Sequence, residues 1–357
     1  MSGAVLALVL VLTSVGMLTT MRTMVRTQFD EVQRQDATVT VTAQAASSHT
    51  ADRLGALDGV TAVEPSMQAP VTVAAADAVG GDAHGDSYGT SLTGYRPDTD
   101  MHGFPGRDGR PRGLPAEGVL AGSALADRLH VTAGNRLTIT TAGGKAHRVA
   151  LAGFVEEPMG TSLYGSLDTV RAATGAPADS LLLRFTDDAD RDRLRTQISG
   201  LGGVVAYTDS QALRAQVDGY LGLFWIFTGM MLILGGILAF AVIYVTMTVN
   251  IAERTGELAT LRASGVPLRR VAGALAAENL TATVLAVPVG LAVGTVVAWA
   301  FMRSFSSDLF TMRLDLGWPT LLLAAVGVVG AAAVSQLPAV RAVRRLDIAR
   351  VVRERAQ

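Results

Sequence analysis

The 357-residue chain predicts a membrane protein with four transmembrane α-helices and a large extracytoplasmic α+β domain between helices 1 and 2. Three observations carry this reading. First, only 17% of residues are charged against 49% hydrophobic, and the charge is confined almost entirely to Arg22–Asp218, Asn250–Arg270 and Arg341–Arg355. Second, the stretches left over include four that are long enough to cross a bilayer core of about 30 Å, which takes roughly 20 apolar helical residues. Third, the charged insert alternates short strand and helix signals, the pattern of an α+β domain.

Helix 1 occupies 1–21; Ala4–Met21 carries no charge. A cleaved signal peptide is the competing reading. No positive residue precedes the apolar stretch, however, and Thr19-Thr20-Met21-Arg22 makes a poor small-residue cleavage site, so a retained helix is preferred. The domain at 22–218 opens with Met21–Gln35, where Met24, Val25, Phe29 and Val32 recur at helical spacing and carry the helix beyond the membrane. Ala37–Thr42 alternates strictly and predicts a strand. Ala51–Leu57 predicts a helix stopped at Gly59, followed by separate strands at Val60–Val63 and Val71–Ala76. Asp77–Gly89 is glycine-rich and predicts a loop; Ser91–Tyr95 predicts a strand, and Arg96–Pro115 irregular chain.

Val119–His130 contains a helix with Ser123 as its candidate cap, and Arg136–Thr141 and Val149–Val155 form a hairpin turned at Gly143-Gly144. Leu167–Thr174 predicts a helix ended by Gly175, Ser180–Phe185 a strand, Ala189–Ile198 a helix and Val204–Tyr207 a strand. Asp187-Asp188-Ala189-Asp190 is placed to cap the Ala189–Ile198 helix. Asp209–Gly219 then runs helically into helix 2, so helices 1 and 2 both project outward as a stalk.

Helix 2 spans 219–249, helix 3 273–302 and helix 4 318–338. Short segments at 250–272, 303–317 and 339–357 complete the chain. Pro288 and Pro319 are tolerable in membrane helices, where neighbours satisfy the freed carbonyls. The 250–270 loop carries Arg254, Arg262, Arg269 and Arg270, and the tail six further arginines, against only Arg303 and Arg313 between helices 3 and 4. The positive-inside rule therefore places the loop, the tail and the N-terminus in the cytoplasm, with residues 22–218 outside a multi-pass cell-membrane protein.

Thr27–Asp218 holds 24 acidic and 16 basic residues, a net charge of 16 − 24 = −8, which excludes nucleic acid as a partner. With no cysteine, the domain rests on core packing alone. His49, His84, His102, His130 and His147 are scattered without metal-ligand spacing, no G-x-S-x-G elbow occurs, and no nucleotide-binding G-x-x-x-x-G-K-[ST] occurs. The sequence thus predicts no catalytic residue, no metal and no cofactor.

Glu253-Arg-Thr-Gly-Glu-Leu-Ala-Thr-Leu-Arg-Ala-Ser-Gly265 directly follows helix 2 and resembles the ER-x-x-E-[LI]-[AG]-x-LRA-x-G signature of the FtsX-like permease domain of MacB-, LolC- and FtsX-type ABC permeases. Pro338–Arg350 resembles that family's ending, with Ile348 where proline is common. Glu117–Leu129, Ala133–Ile139 and Val149–Glu156 resemble the MacB-like periplasmic core domain.

The resemblance implies a separate ABC ATPase subunit on the cytoplasmic side, and a dimer with itself or a homologous permease in the lipid bilayer. It implies an ATPase-coupling helix built from Glu253, Arg254, Glu257, Leu258, Leu261 and Arg262 and broken after Gly265. By composition alone the same segment is a solvated amphipathic helix with its arginines near anionic headgroups; position and motif favour coupling. Glu278, at the membrane edge, matches an acidic position of the family, and a structural pairing with Arg269 or Arg270 stays equally open.

The implied function is a permease subunit that turns ATP hydrolysis by its partner into movement of the external domain. Its work would be export or extraction of a lipophilic or peptide-like substrate. The alternative is a non-transporting regulator of an external partner such as a cell-wall hydrolase. Family members usually carry a basic surface helix before helix 1, for which Met1-Ser2-Gly3 leaves no room, so a shortened or half-length permease remains a reading of this chain.

Overall fold

A computed structural model describes residues 2–42, 49–76, 87–106, 108–158, 161–253, 264, 266–305, 314 and 316–344. The chain divides into an external unit, Arg22–Tyr220 with Ser306–Thr311, and a membrane unit, Met1–Met21 with Leu221–Phe305 and Met312–Gln357.

The external unit is built on strands β1 (Ala37–Val41), β2 (Val60–Ala75), β3 (Tyr88–Tyr95), β4 (Val119–Gly122), β5 (Arg136–Thr141), β6 (Ala146–Val155), β7 (Leu163–Ser166), β8 (Ser180–Phe185) and β9 (Val204–Asp209). Their order is β3-β7-β4-β6-β5-β2-β8-β1-β9, and an additional β2–β3 pairing closes β2, β3, β7, β4, β6 and β5 into a ring. The long strand β2 belongs to both halves of this sheet. Val60–Ser66 pairs with β8, while Met67–Val73 pairs with β3 and Val71–Ala75 with β5.

Period-two patterning explains which side chains turn inward. In β5, Leu137 and Ile139 are buried between less buried neighbours; in β1, Ala37, Val39 and Val41 alternate with Thr38 and Thr40. The ring core gathers Met67, Val73, Leu92, Val119, Leu137, Ile139, Leu151 and Leu163, and Leu125 and Val170 join it from helices α3 (Ala124–Leu129) and α4 (Leu167–Thr174). A second core places Leu54 of α2 (Thr50–Gly55) and Leu194 and Ile198 of α5 (Arg191–Ser199) against Val39, Leu183 and Phe185.

Several sequence expectations are met closely. Helix α4 runs Leu167–Thr174, with Ser166 accepting from the Thr169 N–H and Gly175 ending it at φ +70°. Asp190 caps α5 by accepting from the Arg193 N–H. Such caps are worth about 1 kcal/mol each.

Other expectations fail for physical reasons. Val60–Val63 and Val71–Ala76 are not separate strands but ends of one 16-residue strand. Pro65 and Pro70, which suggest breaks, pair within it opposite Leu181 and Ser91. Successive N–H groups of a strand point to opposite sides, so a proline forfeits a bond on one side only. Ser123 is not an N-cap: it has helical backbone angles and makes no cap bond, and its hydroxyl donates 3.0 Å to Glu156 instead. Strands β4 and β7 go unforeseen, because all four residues of each are buried and no alternation survives. Most of the expected Asp77–Gly89 loop, residues 77–86, lies outside the described residues, and Tyr88 and Gly89 belong to β3.

Helix α1 (Ser2–Arg26) continues as a π-helical turn over Thr27–Val32, so the expected helical continuation past Met21 is present, with a wider final winding. Helix α6 covers Ser210–Glu253, α7 Leu268–Phe305 with Pro288 inside it, and α8 Trp318–Arg344. Among the described residues, three helical stretches are long and apolar enough to cross a membrane: Val5–Val32, Ser210–Thr246 and Leu280–Ser304. The fourth expected span falls on α8, whose apolar stretch Trp318–Val334 is shorter. Within the membrane unit, Leu8 and Leu12 of α1 pack with Ala286 of α7 and with Ala324 and Val328 of α8.

Candidate functional site

Glu253 is the last residue of α6 and is exposed. The other expected coupling residues, Arg254, Glu257, Leu258, Leu261, Arg262 and Gly265, lie outside the described residues. Glu278 is exposed on α7, just before the apolar stretch that begins at Leu280.

At the opposite end of the stalk the described geometry is dense. Arg191, the first residue of α5, reaches Asp36 at 2.5 Å and Asp209 at 3.2 Å. Asp36 also accepts from the Phe185 N–H at 2.8 Å, and its carbonyl accepts from the Ser210 N–H at 2.9 Å. Asp209 accepts from the Ala212 N–H at 3.0 Å and so closes the first turn of α6. One guanidinium therefore ties the entry to β1, where the α1 extension ends, to the residue that starts α6. Farther along, Arg214 of α6 pairs with Asp30 of the π-helical turn at 2.5 Å. These residues sit at fixed sequence positions, but their pairing spans up to 184 residues and no local pattern announces it.

A second feature of the external unit was not legible in the sequence at all. Glu31–Arg34 lies against the loop at 101–103: the Arg34 N–H donates to Met101 O at 3.0 Å and the Gly103 N–H to Val32 O at 2.8 Å. Only glycine permits this approach, since a Cβ at residue 103 would stand 2.0 Å from Glu31 O. The contact helps shape a cavity of about 270 Å³. Gln28, Gln33 and Gln35 enter from the stalk end and Thr38 from β1. Ser66 and Gln68 come from β2, Thr93 and Tyr95 from β3, Glu157 from beyond β6, and Ser162 and Tyr164 from the β7 side.

Tyr95, His102, Phe104 and Tyr164 form an aromatic cluster beside the cavity, with ring centroids 4.7 Å apart for Tyr95–His102 and 5.2 Å for His102–Tyr164. The Tyr164 hydroxyl donates to Glu157 Oε2. Burial pushes the Glu157 carboxyl up to about 7, against the Tyr164 hydrogen bond, which pulls it down. Burial holds His102 down at about 3, opposed by a backbone hydrogen bond at Gly103 and aided by the Arg34 charge. Burial, and then the Glu157 charge, raise both tyrosines well above the usual phenol range. At neutral pH the histidine and both tyrosines are therefore uncharged, and the carboxyl is held well above the ordinary carboxylate range. His102, one of the five histidines scattered along the sequence, is buried here at 7% exposure. Among the described residues no group of His, Cys, Asp and Glu is arranged to hold a metal.

Comparison with known proteins covers nearly the whole chain. Residues 1–201 match the MacB-like periplasmic core domain, and residues 229–348 match the FtsX-like permease C-terminal domain. A search of the curated proteins returns no match. Among solved structures, the chain is similar to the periplasmic region of MacB from Actinobacillus actinomycetemcomitans, at 12% identity and TM-score 0.35, covering 54% of this chain and 97% of that one. It is also similar to the extracellular domain of the noncanonic ABC-type transporter YknZ from Gram-positive bacteria, at 13% identity and TM-score 0.31, covering 49% of this chain and 98% of that one. With the core-domain match alone spanning more than half of its length and the permease match following it in order, the chain belongs to the FtsX-like permeases that carry a MacB-like periplasmic core domain.

Proposed function

We propose that the chain is the transmembrane subunit of an ABC-type transporter that converts ATP hydrolysis by a separate cytoplasmic ATPase into movement of its external domain. That it is an ABC transporter-type permease of the membrane follows from the family; the mechanism is our reading. The observation that carries it is the helical stalk. Helices α1 and α6 each contain residues of both units, and Arg191 and Arg214 fasten their outer ends together. A push delivered to the segment after Glu253 would thus reach the external domain through α6, and α1 would follow it.

In this reading α8 is the fourth span, both termini and the 250–272 segment are cytoplasmic, and Glu253, Arg254, Glu257, Leu258, Leu261, Arg262 and Gly265 dock the ATPase. The subunit works as a dimer with itself or a homologous permease. An apolar cavity within the membrane unit supports movement of a lipophilic or peptide-like substrate rather than of an ion. Its lining includes Leu10, Val15, Leu232, Phe240, Leu323 and Val328, with Thr320 its one hydroxyl. If the lever instead activates an external partner, the same coupling would hold without transport.

The test is co-purification with candidate ABC ATPases, comparing wild type with Glu257→Arg. The substitution reverses a charge on the docking face, and we expect ATPase binding and stimulation to fall at least tenfold while membrane insertion survives. Unchanged binding and stimulation would remove the coupling assignment.

A further inference from the structure

The polar cavity of the external unit contains more hydrogen-bonding capacity than the protein itself uses. Gln28, His102 and Glu157 are 5%, 7% and 6% exposed. Yet Gln28 Oε1, His102 Nδ1 and Glu157 Oε1, together with Gln35 Oε1, have no partner. Buried polar atoms normally find one, because leaving each unpaired costs about 1–3 kcal/mol. Four such atoms around one cavity, all of them acceptors, mark a place for a donor-rich occupant. The volume of about 270 Å³ corresponds to roughly nine waters at about 30 Å³ each, or to a small organic molecule.

The charge balance narrows the class. No lysine or arginine lines the cavity. Arg34, whose charge acts on His102, turns its Nε to the Glu31 carbonyl at 3.1 Å. An anion would therefore meet acceptors and a carboxyl with nothing to neutralise it. A metal ion lacks a three-residue ligand group among the described residues. A cation meets the Glu157 carboxyl, beside which the Tyr95 and Tyr164 rings stack with centroids 6.3 Å apart.

We propose that this cavity binds a small organic ammonium compound, whose N–H donors are received by the open oxygens of Gln28, Gln35 and Glu157 and whose charge lies against that carboxyl. Gln28 and Gln35 flank the end of the stalk, whereas Tyr95 and Tyr164 belong to the ring of strands and Glu157 follows β6, so the occupant would bridge the two. The proposal stands on the external unit alone and is independent of the ATPase-coupling reading.

Binding carries a pH signature. The groups facing Glu157 are Tyr164, Tyr95 and His102, all uncharged at neutral pH, so Glu157 alone titrates near 7. A bound cation would draw it into the ionised form, so binding releases protons near neutral pH and tightens as pH rises.

The experiment is calorimetric titration of the full chain in phosphatidylcholine nanodiscs with ethanolamine and cyclohexylamine, against ethylene glycol and cyclohexanol as their uncharged counterparts. Two buffers of different ionisation enthalpy report the proton release. We expect the amines to bind with that proton release and pH trend, the uncharged compounds to bind at least tenfold more weakly, and Glu157→Gln to abolish the difference. The proton release is read on wild type, so a variant that fails to fold leaves the test intact. Absence of amine binding, equal binding of cyclohexanol and cyclohexylamine, or amine binding without proton release would each overturn the proposal.

Discussion

Glu157 pays for its position whenever it is ionised. Its folded value of about 7 lies above the ordinary 4.5, so the carboxyl adds nothing unfavourable below pH 4.5. As pH rises through about 7 the external unit loses up to about 3 kcal/mol relative to its low-pH state. His102 acts in the opposite sense: held at about 3 against 6.5, its cost appears as pH falls from 6.5 toward 3. Glu157→Gln keeps the shape and the acceptor for Tyr164 but removes only the first dependence. Hydrogen exchange of the β7 amides in wild type and variant should be alike at pH 4.5, with the variant better protected by up to about 3 kcal/mol at pH 8. A constant difference across that range would contradict the buried, titrating carboxyl. None of this was legible locally, since Glu157 is buried by residues far from it in the chain, among them Tyr95 and His102.

Among the elements, two junctions decide how force would travel. At the stalk root, Arg191 is 25% exposed and serves two carboxylates at once. Arg191→Ala would leave Asp36 and Asp209 facing each other without a cation, and should cost the external unit about 2 kcal/mol in denaturant unfolding. A change below about 0.5 kcal/mol would mean the pair contributes no more than a solvated surface bridge. In the membrane unit, Gly290-Leu-Ala-Val-Gly294 brings the α7 backbone against α1. A Cβ at residue 294 would stand 2.7 Å from Leu12 Cδ1 and 3.3 Å from Leu8 O. Gly294→Leu should lower membrane-unit stability by about 1–3 kcal/mol. Leu12→Ala should restore part of that loss, because the tighter contact is with a side chain; no recovery would place the strain on the backbone instead. The small-residue spacing is visible in the sequence, whereas its partner helix is not.

For the whole molecule, the lever reading requires that the two fastened stalk helices move together and carry the external domain with them. The chain contains no cysteine, so a pair introduced at Asp30→Cys and Arg214→Cys would be its only thiols. Bridging them with a short bis-maleimide should preserve coupled ATP hydrolysis, because the link replaces the Arg214–Asp30 tie, whereas the unbridged double variant should lose coupling severalfold with ATPase docking intact. Loss of coupling in the bridged protein would show that the two helices must slide past each other, against α1 following α6.

The sequence by itself determined the segregation of charge from apolar helix, the α+β character of the insert, the capped helices at Leu167–Thr174 and Arg191–Ser199, and the family motif after helix 2. Each of these is written in composition, period or a short run of neighbours, so local physics suffices. Tertiary structure alone decided that β2 is one strand serving both halves of the sheet, that Ser123 turns to Glu156, and that β4 and β7 close the ring. It also decided that Gln28, Gln35, His102 and Glu157 meet around one polar cavity. The reason is distance along the chain: those residues span 28 to 157, and burial, which changes both their hydrogen bonding and their charge, is a property of neighbours that no local pattern encodes.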